Sequence, residues 1–242
     1  MTFKNWTMAL KIVLVFTLSI PIVLALQWVL IRFVLPPLDE DGLWAFAAWS
    51  NLVWFAVLTI AINALGWIYL ARNQWPYFIL HLRRHSLLIF LGIFLLIVFN
   101  LLSAQFLQAM GLEVGGANQD AIIQMANASL STRMALLVAA GFLAPFVEEM
   151  VFRKSLIDLL SKRFGVVIAI ASSSLLFGFL HVILDLSQFY MIIPYVVSGL
   201  VLTFIYFFSN KNIFVPIMVH ASYNLMGLLI LILPLQERFS GI

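Results

Sequence analysis

The sequence contains no cysteine. Disulfides, thiol nucleophiles and cysteine-ligated metal centres are excluded at once. Charge is scarce as well: Asp, Glu, Lys and Arg make up 10% of the 242 residues, where a soluble domain carries about 25%. No segment shows the ten-residue alternation of apolar and polar positions that a membrane barrel needs. What is present is hydrophobic, 64% of the chain at a mean hydropathy of +1.10. It comes in apolar runs of about twenty residues, the length of a membrane-spanning helix. These observations predict an all-α, polytopic membrane helix bundle. The net charge of +3 gives no basis for a nucleic-acid partner, so the lipid bilayer is the first partner expected.

The first 34 residues carry Lys4 and Lys11 and then run apolar to Arg32. That stretch is too long for a signal-peptide core and is expected to be a retained first span. Further spans are expected at about 43–71, 87–110, 134–152, 165–184, 189–208 and 213–233. The expectation is thus about seven transmembrane helices, with an eighth helix allowed, enclosing a polar intramembrane cavity. Ten of the 13 basic residues (Lys4, Lys11, Arg72, Arg83, Arg84, Arg153, Lys154, Lys162, Arg163 and Lys211) fall in one set of loops. Asp39, Glu40, Asp41, Glu113, Asp120, Asp185 and Glu237 fall in the other. The positive-inside rule then predicts a multi-pass protein of the cell membrane with a cytoplasmic N-terminus. The 72–86 connection, basic with interleaved Trp75, Tyr77 and Phe78, suits a segment lying on headgroups. The 111–133 connection is read as a loop, a surface helix or a lid.

Polar groups are unevenly spread. Up to about residue 130 they are scattered singly (Asn51, Asn63, Asn100), as helix–helix hydrogen bonds would be. Residues 1–133 therefore read as scaffold, 134–233 as the functional core and 234–242 as a short tail. In the core, Glu148 and Glu149 lie side by side in an apolar run. Glu149 and Arg153 are four apart, on one helix face, where they can pair. Glu148 points about 100° away and is free for other work. Phe177 and His181 repeat the spacing in the fifth span, and His220 and Asn224 in the seventh. If the fourth span continues as helix to Arg163 and turns at Gly165, Glu148 and His181 lie level, each ~25 Å from the bend. Singly, a membrane histidine is a helix contact, Arg153 an anchor and Phe177 packing. Ionisable groups at membrane depth are costly, and their concentration in three spans points to a site.

Taken in order, Glu148-Glu149-Met-Val-Phe-Arg153, Phe177-Gly-Phe-Leu-His181 and His220-Ala-Ser-Tyr-Asn224 read EExxxR, FxxxH and HxxxN. In these residues the chain resembles the CPBP family of intramembrane proteases, which includes the CAAX prenyl endopeptidases and bacterial proteins linked to bacteriocin processing and immunity. The resemblance covers roughly 134–230 and implies a membrane-embedded endopeptidase acting on a hydrophobic or membrane-associated peptide or protein; the cysteine-free, compact chain with short loops looks bacterial. It implies that Glu148 and His181 activate the attacking water and that His220 and Asn224 hold the oxyanion, with Glu149, Arg153 and Phe177 in support. Two mechanisms stay open. Glu148, His181 and His220 form a conceivable zinc set. The metal-free water mechanism is favoured, because the Asn224 amide suits an oxyanion donor and is not a typical zinc ligand. The alternative to an enzyme is a non-proteolytic immunity or regulatory protein binding a peptide or membrane partner through the same bundle.

Overall fold

A computed structural model describes residues 3–183 and 185–232; the expected tail at 234–242 lies outside them. Among the described residues the regular structure is entirely helical. Helix α1 (Phe3–Val29) holds Pro21 in its interior and runs on through a π-helical turn, Leu30–Val34. Helix α2 (Glu40–Ile62) begins where the Asp39 side chain accepts a hydrogen bond from the Gly42 N–H, an N-cap reinforced by Glu40 and Asp41 at the positive end of the helix dipole. A π-turn at Asn63–Trp67 leads into α3 (Ile68–Leu80), then α4 (Leu82–Ala109) and α5 (Ala117–Ala128). Of the three readings open for 111–133, the surface helix describes α5. The 72–86 connection is made by the second half of α3 and the start of α4, which meet at His81.

The central element is α6, a continuous rod from Leu130 to Phe164. It starts on a capping box in which the Ser129 side chain accepts from the Thr132 N–H and Thr132 reaches back to the Ser129 N–H. Two π-turns, Ala139–Leu143 and Met150–Leu156, bracket a six-residue α-helical stretch that ends at Glu149. At Gly165, φ +86°, the chain reverses into α7 (Val166–Val182). A 3₁₀ turn (Leu186–Met191) leads to α8 (Ile192–Phe208), and a left-handed pair, Asn210 and Lys211, leads to α9 (Phe214–Ile232).

Among the described residues six helices are long and apolar enough to cross a membrane, and Val166–Val182 is a shorter apolar helix. The fifth of the seven expected spans is therefore a short one: 17 residues rise ~26 Å, less than the ~30 Å hydrocarbon core. It ends beside the polar His181 and Asp185, where an apolar helix has no reason to continue. Many large side chains face outward, Leu80, Phe90 and Val167 among them, as lipid contact requires.

The core that seats the site is continuous along α6. Ile12 and Phe16 of α1 and Leu58 and Ile62 of α2 pack with Val147, Met150, Val151 and Phe152, and Phe177 and Tyr206 complete the cluster. Helices α7 and α8 pack closely. A Cβ placed on Gly178 would stand 2.6 Å from Val196 Cγ2, and one on Gly199 3.1 Å from the Ser174 Cα. Small residues thus let the two backbones touch, the usual route to tight packing where lipid supplies no hydrophobic drive. Gly178→Ala is expected to destabilise by about 1–3 kcal/mol through overpacking. Thermal unfolding in detergent checks it, with Gly227→Ala, which meets no atom within 4 Å, as the neutral control.

Candidate active site

Three elements deliver the site: the glutamate stretch of α6, the end of α7 and the middle of α9. Helix α6 continues to Phe164 and turns at Gly165, the arrangement from which the spacing predicts a common depth for Glu148 and His181. The two glutamates have different environments. Glu149 is fully buried; its Oε1 lies 3.0 Å from Arg153 Nη1 and 2.9 Å from His220 Nδ1. Arg153, also fully buried, donates from Nη2 to the Gly199 carbonyl at 3.2 Å and sets its guanidinium 4.4 Å above the Phe177 ring. Glu148 keeps 10% of its side-chain surface exposed against 0% for Glu149. Of the two carboxylates, only Glu148 reaches open space.

The sequence assigns Glu149 only to Arg153. The structure adds His220, so one buried carboxylate oxygen serves both Arg153 and His220. An ionised carboxylate only accepts hydrogen bonds, so His220 donates through Nδ1. Its Nε2 is turned toward Glu148 Oε2, 3.9 Å away. That gap is longer than a hydrogen bond and leaves room for a bridging group. His181 is fixed in the same sense: its Nδ1 donates to the Phe177 carbonyl at 2.8 Å, leaving Nε2 as the free nitrogen. Phe177 is more than filler. Its ring meets His181 at 4.7 Å, His220 at 5.8 Å and Phe152 at 5.4 Å, besides Arg153, so it spaces the polar groups and keeps the buried cation from water.

Asn224 donates through Nδ2 to the Ala140 carbonyl at 2.9 Å. The π-turn explains why that carbonyl is available. The Ala144 N–H bonds to Ala139, five residues back, so the next N–H in the register would serve Ala140. That residue is Pro145, which has no N–H. A side chain from another helix then satisfies this part-buried carbonyl. π-turns occur mostly at functional sites, and Pro145 is the sequence signal that marks this one. Sequence reading also missed Tyr195, whose ring stacks on His181 at 4.5 Å, 20° from parallel. Beyond α7, Asp185 accepts from the Ser187 hydroxyl at 2.6 Å and from the Ser187 N–H at 3.0 Å. These bonds hold its carboxyl below its ordinary value, the hydroxyl contributing most.

The zinc set can be tested on the side chains themselves. Both imidazoles have Nδ1 anchored and Nε2 free, an orientation common to metal-bound and metal-free histidines. Yet among the described residues no three His, Asp or Glu side chains are placed to hold a metal ion together. The arrangement as it stands does not fit a three-ligand centre.

Comparison with known proteins bears on the same stretch. A family model described as type II CAAX prenyl endopeptidase, Rce1-like, matches residues 130–226. The match starts at the first residue of α6 and takes in all seven motif residues. Over these residues the chain is similar to the CAAX protease (CPBP) family. An uncharacterized protein of Mycoplasma capricolum subsp. capricolum is 32% identical over 102 residues, which is 42% of this chain and 29% of that protein. The chain thus matches under a third of that relative's length. No solved structure matches. The matched segment coincides with the part of the fold where two π-turns, a buried Glu–Arg–His network and both anchored imidazoles are found. Helices α1 and α2 lie outside it and supply apolar packing.

Proposed function

We propose that this chain is an intramembrane endopeptidase that hydrolyses a peptide bond in a hydrophobic or membrane-associated peptide or protein. The observation that carries the reading is the pairing of a water-accessible carboxylate, Glu148, with the Nε2 face of a histidine whose other nitrogen is anchored on a second, dry carboxylate. Glu148 is the general base. It takes a proton from a water, and the water oxygen attacks the carbonyl carbon of the substrate. His181, through Nε2, accepts the second hydrogen of that water and orients it. Neutral His220 offers only a lone pair at Nε2. It becomes a donor to the developing oxyanion once it accepts the proton from Glu148, and Glu149 stabilises the resulting imidazolium. Asn224 has one N–H committed to Ala140 and a second free for the oxyanion. His220 then returns its proton to the leaving amine, and the carbon–nitrogen bond breaks. No metal is needed in this scheme. The setting is a bacterial cell membrane, with the N-terminus in the cytoplasm by the distribution of Lys and Arg.

The test uses purified protein in detergent, with metal content by mass spectrometry and cleavage of a panel of hydrophobic peptides with and without chelator. Chelator-resistant cleavage without stoichiometric metal is expected. Asn224→Ala is expected to lower kcat by about 10²–10³, the usual cost of an oxyanion donor. Stoichiometric zinc that is lost in His220→Ala, with activity lost to chelator, would replace the water mechanism by a metal one. If a biological effect of the chain persists in Glu148→Gln and His181→Gln, the non-proteolytic immunity or regulatory role takes its place.

A further inference from the structure

His181 is the penultimate residue of α7, where a helix frays most readily. One hydrogen bond, to the carbonyl of Phe177 in its own helix, does not by itself stop the ring from turning. Phe177 meets the ring at 47° and Tyr195 lies against it at 20°. Tyr195 comes from α8, and its place follows from the close approach of α7 and α8. Ser174, Gly178 and His181 form one face of α7; Tyr195 and Gly199 form one face of α8. The small pairs at Gly178 and Gly199 bring the aromatic pair into stacking range. The Tyr195 hydroxyl is itself held, accepting from Asn118 Nδ2 at 3.3 Å. Asn118 belongs to the first turn of α5, and the neighbouring Gly116 sits against Met191, within 3.5 Å of where a Cβ would lie. A chain of contacts therefore runs from α5 through Asn118 and Tyr195 to the imidazole.

We infer that Tyr195 is a positioning residue for His181, and that Asn118 anchors it so that α5 fixes the orientation of the water-activating imidazole. In its kinetic consequence the inference rests on the peptidase reading; in its structural consequence it does not. Tyr195→Leu removes the stack, whereas Tyr195→Phe keeps the stack and removes only the hydroxyl.

The experiment has two arms on the full chain in detergent. In the first, the ring nitrogens of isotope-labelled histidine are observed by NMR at one fixed pH, with His181→Gln identifying the resonances. Wild type should show a single Nδ1-protonated His181 and Tyr195→Leu mixed tautomers; Tyr195→Phe, which keeps the stack but loses the Asn118 hydrogen bond, should show only the broadening expected of Asn118→Ala. Asn118→Ala, remote from the imidazole, should broaden the same signals and serves if Tyr195→Leu does not fold. In the second arm, peptide cleavage by Tyr195→Leu should show kcat lowered roughly 10- to 100-fold with KM within about twofold, as for a misplaced catalytic group. Tyr195→Phe should recover most of that loss. An unchanged His181 spectrum in Tyr195→Leu overturns the inference, as does an altered spectrum with undiminished kcat. If wild type and Glu148→Gln are equally inert on all peptides, the peptidase reading falls and the NMR arm alone decides the positioning role.

Discussion

Glu148→Gln is expected to lower kcat by about 10³, within the 10²–10⁴ range for loss of a general base, while the protein inserts and melts as wild type does. Stability should hold because the buried ion pair is made by the other glutamate. Glu148 shares no oxygen with Arg153, lies 3.9 Å from His220 and keeps part of its side chain in contact with open space. Glutamine preserves its volume and removes only the capacity to take a proton. Single-turnover cleavage of a fluorogenic hydrophobic peptide, with a thermal melt of the same sample, measures both quantities. Normal turnover in this variant would remove Glu148 from the chemistry. A large fall in melting temperature would show that its role is structural.

Glu149→Leu should behave in the opposite way, with stability lost first. Removing one partner of a buried pair leaves an uncompensated charge, a cost of about 3–5 kcal/mol. For a chain of this size that corresponds to a fall of about 10 °C in melting temperature. The guanidinium of Arg153 would keep the Gly199 carbonyl and the Phe177 ring face, neither of which carries a full charge. The double variant Glu149→Leu/Arg153→Met removes both charges and should recover much of that stability. Activity should not return, because His220 Nδ1 has lost its acceptor and Nε2 is no longer directed at Glu148. Stability and activity recovering together would mean that Glu149 serves only Arg153. Recovery of stability alone would mark it as the residue that orients His220.

The motifs were legible in one dimension because helical register is local. Glu149 with Arg153, Phe177 with His181, and His220 with Asn224 are each four apart, and 3.6 residues per turn puts each pair on one face whatever surrounds it. The common depth of Glu148 and His181 was legible for the same reason, since a rise per residue and a turn at Gly165 suffice to compute it. The count of full spans was less so: hydropathy does not show that α7 stops at Val182, because that boundary depends on the polar surroundings of His181 and Asp185.

Composition and spacing thus determined the membrane, the helical bundle, the set of residues and their pairing along each helix, since all of these follow from transfer free energies and from a periodicity carried by the backbone. Tertiary structure alone decided that Glu149 is shared between Arg153 and His220, that the Pro145 gap in the π-turn hands the Ala140 carbonyl to Asn224, and that Tyr195 lies on His181. Each of these joins residues from different helices. Which faces meet, and at what rotation, is set by close packing at sites such as Gly178 and Gly199, and by the need of every buried polar atom for a partner.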